Sequence, residues 1–269
     1  MTEFMRPTVT TEEVNDTVAR FIVEPLERGY GYTLGNSMRR VLLSSLDGAK
    51  ATAIQIEGVQ HEFTTAEGVI EDITDIVLNV KGLVFSALSD DIEEATAHVS
   101  AEGPCVVTGA DLQVPTEFTL INPEHVIATV ADGGQLDMTV RIGVGRGYVS
   151  AERNKRTEDP IGVIHVDSLF SPVRRCTMNV TDTRVGQRTD YDKLVLEVET
   201  DGSIAPIDAV TRAANIINQY MGAFLSLTST PEEEEGEVPS IFAPEVRSRT
   251  PSLTSRSRTS TCPSARTTA

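Results

Sequence analysis

The sequence predicts a mixed fold, mainly β in its middle, framed by long helices near either end of its globular part. Three observations carry this. Apolar residues recur at helical spacing in 34–46 and again in 207–224. Between them, short apolar runs alternate with Gly-, Pro- and Asp-rich turns. Beyond about residue 228 the chain becomes charged, then Ser-, Thr- and Arg-rich, and the globular pattern stops.

Taken in order, "VARFIV" (18–23) reads as a strand closed by Pro25 and the Gly29/Gly31 turn. A helix is expected from Thr33 as N-cap, with Leu34, Met38, Val41, Leu42 and Leu46 on one stripe and Asp47-Gly48 as its stop. "ATAIQIEGV" (51–59) reads as a strand. The segment 69–83 returns to helical period through Val69, Ile73, Ile76, Val77 and Val80. Strands follow near 84–88, 95–100, 105–107, 117–121, 125–131 and 135–142. A long polar loop covers 146–162, more β material covers 163–185, and "KLVLEVET" (193–200) is a strand ending at Asp201-Gly202.

The last helix is expected over 207–227. Ile207, Val210, Ala214, Ile217, Met221 and Phe224 form a heptad-like seam, which Ile216, Tyr220 and Leu225 widen. An ordinary core helix and a dimerisation helix both fit that pattern. A helix apolar on more than one side is commonly buried twice.

Composition excludes several classes. The net charge is −17, and the first 245 residues hold 18 basic against 40 acidic groups. Such a surface disfavours direct binding to nucleic acid. No apolar run approaches the roughly 18 residues of a membrane span. The N-terminus lacks a basic-then-apolar leader pattern, so a cytoplasmic location is expected. Cys105, Cys176 and Cys262 stand far apart and the four histidines are scattered, so no metal or other cofactor is expected.

The glycines at 29, 31 and 35 raise the question of a phosphate loop. They fail as one, because the spacing is GxGxxxG, no Lys-Ser/Thr pair follows, and Tyr30 and Tyr32 add bulk. A tight turn feeding a helix is the better reading. No GxSxG or HExxH motif occurs, and "SDDIEEA" (89–95) reads as a solvated loop. "TDYDKL" (189–194) is expected to make turn hydrogen bonds, and "VGRGYV" (144–149) has too little positive charge nearby for RNA. Arg40 and Leu43 are three apart on the first helix, off its main stripe, and so share a second face. Arginine beside an apolar anchor is the composition of a protein–protein hot spot.

These residues sit in stretches that resemble the bacterial RNA polymerase alpha subunit family. The blocks are "VEPLERGYGYTLGNSMRRVLLSSL", "EGVQHEFTTAEGVIEDITDIVLNVKGL", "VGRGYV", "DPIGVIHVDSLFSPVRRC" and "RVGQRTDYDKLVLEVETDGSIAP", in unbroken order over roughly Thr17–Leu227. The resemblance implies an α+β fold. A discontinuous dimerisation subdomain (1–47 and 174–228) would carry an inserted, mainly β subdomain (48–173) facing the large subunits, followed by a linker and disordered tail (229–269).

The implied role is a non-catalytic subunit of a DNA-directed RNA polymerase, a nucleotidyltransferase. It would homodimerise through the first and last helices and gather beta and beta-prime, with omega and sigma in the full enzyme. The dimer residues would be Leu34, Met38, Val41, Leu42, Val210, Ala214, Ile217, Met221 and Phe224. Positions matching Arg40, Leu43, Lys81 and Val166 bear on contacts to beta or beta-prime in the family.

The family follows its linker with a small helical domain that contacts promoter DNA and activators, and nothing after residue 246 resembles it. Permitted codons from Arg247 onward, such as AGC for Ser248, AGG for Arg249, ACC for Thr250 and CCG for Pro251, can be read from the third base. They then give "EQDPELDKQIEDLDLSVRSYNC", which resembles that acidic linker and the start of the missing domain. The expectation is a frameshifted readout, in the gene or in its sequencing. A gene whose shifted frame does not continue into a helical domain would rule it out.

Overall fold

The computed structural model describes residues 6–89, 92–185 and 188–225. Two strands, β1 (Thr8–Asn15) and β2 (Val18–Glu27), lead into α1 (Tyr30–Ser44) and β3 (Asp47–Ile56). Then come α2 (Ile73–Lys81), β4 (Phe85–Ala87), β5 (Glu94–Glu102), β6 (Cys105–Thr108), β7 (Phe118–Leu120), β8 (Val126–Val130) and β9 (Gln135–Arg146). The chain finishes through β10 (Tyr148–Val149), the single turn α3 (Ala151–Asn154), β11 (Val163–His165), β12 (Ser168–Leu169), β13 (Val173–Val185), β14 (Arg188–Thr200) and α4 (Pro206–Leu225).

The architecture is α+β, with antiparallel pairing throughout and helices packed on the sheets. One sheet runs β1-β2-β14-β13, so residues near the start of the chain pair with residues about 170 positions later. A larger sheet runs β5-β9-β3-β4-β7, with β11 also on β3. Two hydrophobic cores result. The first joins Ala19, Phe21, Leu42 and Leu46 to Val173, Cys176, Leu196, Val198, Ala209 and Ala213. The second lies wholly within residues 49–166, around Ile54, Ile73, Ile76, Phe85, Ile127, Met138 and Ile142.

Several expected boundaries move, each for a local reason. Strand β2 continues through Pro25 to Glu27, because its pairing with β14 breaks register between Asp192 and Leu194, opposite the proline. An irregularity there absorbs the missing N–H. Helix α1 starts at Tyr30, not after Thr33, since Gly29 takes the left-handed conformation (φ 90°) and turns the chain. The Thr33 hydroxyl donates to the Gly29 carbonyl at 3.2 Å, inside the first turn. Asp47 and Gly48 begin β3 instead of merely stopping the helix.

Helix α2 is shorter than its apolar period suggests. The Asp72 side chain caps it by accepting from Asp75 N at 3.0 Å, and Val69 bridges to Val130 instead. The loop 146–162 contains β10 and α3. Strand β1 was not foreseen: its residues are all exposed, so it has no apolar alternation to read. Asp90 and Asp91 of "SDDIEEA", the last two residues expected in the final helix (226–227) and the expected tail (229–269) lie outside the described residues.

Candidate functional site

The glycine turn does hold an anion, and the anion belongs to the chain itself. Asp192 on β14 is 5% exposed, and its Oδ2 accepts from Gly29 N at 2.8 Å and Gly31 N at 3.2 Å. A buried carboxylate thus satisfies free N–H groups at the start of α1, where the helix dipole favours negative charge. Glycine is required for the approach. A Cβ on Gly31 would meet Val180 Cγ1 at 2.8 Å and Asp192 Cβ at 3.1 Å. One on Gly35 would meet Leu194 Cδ1 at 2.9 Å. "TDYDKL" therefore supplies a long-range helix cap, where turn hydrogen bonds were expected.

Clamped this way, α1 packs against β13, β14 and α4. Leu42, one of the residues expected at the dimer surface, is wholly buried within this chain. Met38, Val41 and Leu43 are half-buried against the same core, and Leu34 is exposed. Arg40 is exposed and has no ion pair among the described residues. It lies about 60° around the helix from Leu43, so the two share one edge of α1.

Helix α4 is apolar along one broad face that is buried at its start and open at its end. Ala209 and Ala213 are buried, and Val210 and Ile216 pack against the core. Ile217 is half-buried and Ala214 exposed. Met221 and Phe224 stand 57% and 68% exposed, with Ile207, Tyr220 and Leu225 also open. On α1, Tyr30 and Tyr32 are exposed as well.

In the second part, Lys81 ends α2 and its Nζ meets Asp167 Oδ1 at 2.7 Å. That pair joins the two remaining sequence candidates only indirectly. Val166 is 1% exposed and its side chain belongs to the core. Its backbone is also engaged, with N donating to Thr52 O at 2.9 Å and O accepting from Asn154 Nδ2 at 2.6 Å. The neighbours Asp167 and Leu169 present the surface there.

Sequence reading missed a charged cluster that pins the polar loop. The Asp159 carboxylate accepts from Arg141 Nη2 at 2.7 Å and Nη1 at 3.2 Å, and meets His165 Nε2 at 2.8 Å. Arg141 also pairs with Glu94 at 3.0 Å, and Glu94 pairs with Arg156. The Arg141 hydrogen bonds, with His165 second, hold the Asp159 carboxyl far below the ordinary carboxylate range. A depressed folded-state value means stabilisation that is complete above the unfolded value and lost as pH falls toward the folded one. Thermal melts should therefore show the stability gap between wild type and Asp159→Asn narrowing as pH drops from about 4 to 2. A constant gap over that window would remove Asp159 as the acid-sensitive group.

Burial pushes the Cys176 thiol up to about 11, so it stays protonated and behaves as core. Among the described residues no group of three or more His, Cys, Asp or Glu side chains could hold a metal ion. No helix among them is long and apolar enough to cross a membrane.

Residues 54–171 match the family model of the RNA polymerase Rpb3/RpoA insert domain. That match and the fold define the class: a subunit carrying an insert of the RNA polymerase type. The wider chain agrees. It is 55% identical over 227 residues to the DNA-directed RNA polymerase subunit alpha of Carboxydothermus hydrogenoformans, covering 84% of this chain and 72% of that protein. The same subunit of Moorella thermoacetica is 52% identical over 234 residues (87% and 74%), and that of Salinibacter ruber 48% over 233 (86% and 70%). The chain belongs to the family of DNA-directed RNA polymerase alpha subunits. Its role is thus in transcription, as part of a multisubunit nucleotidyltransferase complex.

Proposed function

We propose that this chain is the assembly platform of that polymerase. Two copies pair through α1 and α4, and the dimer gathers beta and then beta-prime, with omega and sigma completing the enzyme. Residues 1–47 and 174–228 act as the dimerisation subdomain, and 48–173 as the insert that meets the large subunits. The chain supplies no catalytic residue and works in the cytoplasm, and the surplus of acidic groups speaks against direct DNA contact.

The open apolar end of α4 carries this reading. Its alanines cover the sheet early in the helix, yet Met221 and Phe224, about two to three turns further along, stay open to water. Apolar area of that kind favours a like surface on a second copy, because a two-fold pairing buries the same patch twice. Arg40, exposed on the clamped α1 with Leu43 at its edge, fits the composition of a partner contact.

Arg40→Ala is the direct test. Sedimentation should return an unchanged dimer, while co-purification of beta should fall by about tenfold. Wild-type capture of beta by the variant would sink the assignment of α1 as its contact.

A further inference from the structure

A cavity of about 400 Å³ opens beside the β10–β12 ribbon. At its floor, Lys50 (side chain 15% exposed) pairs at 3.2 Å with Asp201 (4% exposed). Asp201 is held in turn by Ser203 N at 3.1 Å. At the rim Lys81 pairs with Asp167. Each of these lysines has its own acid.

Arg174 lines the same cavity and has no ion pair among the described residues. Its neighbour Arg175 engages Glu199 at 3.0 Å and Glu197 at 3.6 Å. The backbone explains the difference. Strand β13 pairs with β14 through Val173↔Thr200 and then Arg175↔Glu199, so Arg174 is the extra residue of a bulge. A bulge re-aims the side chain it adds and interrupts the ladder around it.

The other wall is apolar. Tyr148 and Leu169 are cross-strand partners in the ribbon, and both line the cavity while 61% and 59% exposed. Tyrosine and arginine are the residue types enriched at interface anchor points, and Leu169 extends the apolar wall beside them. On a chain of net charge −17, a concave site with one surplus positive charge also selects for an acid.

We propose that this cavity receives an acidic side chain, Asp or Glu, carried beside an apolar residue on one of the large polymerase subunits. Arg174 pairs the carboxylate, in the forked geometry guanidinium groups favour. Tyr148 and Leu169 cover its apolar neighbour and exclude water from the pair. A free phosphate would satisfy Arg174 but would make no use of the Tyr148–Leu169 wall, which favours a protein segment. The inference rests on the reading that this chain gathers the large subunits.

The test uses the full chain co-expressed with those subunits. Arg174→Glu should leave the dimer intact and weaken capture of a large subunit about tenfold. A photo-crosslinking residue in place of Tyr148 should join to a large-subunit peptide containing Asp or Glu. Reversing that acid to lysine should restore capture by Arg174→Glu. Undiminished capture by Arg174→Glu, or crosslinks to a second copy of this chain, would overturn the proposal.

If Arg40→Ala weakens capture and Arg174→Glu does not, the cavity assignment alone fails. If the wild type captures no large subunit, both readings fall. Inorganic phosphate that stabilises the wild type but not Arg174→Glu, with capture equal in the two, would make the cavity an anion site and overturn its role as a docking point.

Discussion

Replacing Asp192 with alanine is expected to destabilise the chain by about 3 kcal/mol, seen as a Tm lower by roughly 6–12 °C. Two effects add. The N–H groups of Gly29 and Gly31 lose the acceptor that lies 2.8 and 3.2 Å away, one of them in a buried setting. The helix start also loses its negative charge, and because Asp192 is only 5% exposed its removal leaves space in the interior. Asp192→Asn keeps an acceptor oxygen in the same place and should recover most of the loss. Equal damage from both variants would mean that the carboxylate charge, and not the acceptor, dominates. No loss from alanine would remove Asp192 as the clamp on α1.

A second large effect is expected at the open face of α4. Phe224→Glu combined with Met221→Glu should raise the dimer dissociation constant by roughly a hundredfold or more, converting the chain to a monomer at micromolar concentration. Both side chains are mostly solvent-exposed in one copy, so the fold itself should change by no more than about 0.5 kcal/mol. Analytical ultracentrifugation and far-UV circular dichroism together separate these outcomes. A dimer that survives both charges would move the two-fold interface elsewhere, and Tyr30, Tyr32 and Leu34 on α1 would be the next surface to probe.

The parts that were legible in the sequence share one property: their evidence is local and periodic. The stripe of α1 and the broad apolar face of α4 could be read because residues three and four apart report on the same side of a helix. Strands with a buried face alternated visibly. What escaped depends on pairs distant in the chain. Asp192 and Gly31 are separated by 161 positions, so nothing near either one announces the cap. The helix start was misread for the same reason. Glycine at 31 and 35 argues against helix by propensity, and only the close packing on β13 and β14 accounts for it.

The site residues follow the same rule. The expectation at Arg40 comes from its place off the stripe and that at Val166 from resemblance; Arg40 is exposed and Val166 is buried. Arg174 and Arg175 are indistinguishable in sequence, and a single irregularity in strand pairing gives them opposite surroundings. The Asp159 cluster joins residues from β5, β9, β11 and the polar loop, and no spacing in the sequence marks it.

The clamp at α1 has a consequence for how the protein is made. The helix bearing Arg40 leaves the ribosome early, yet its stabilising carboxylate is encoded about 160 residues later, as is β14, which completes the neighbouring sheet. At ordinary elongation speeds that interval is on the order of ten seconds or more. During it the early segment waits without its final support. A nascent chain cut short before residue 192 carries the sequence of α1 but lacks the carboxylate that caps it. Only a chain translated through β14 can hold that helix in its finished position.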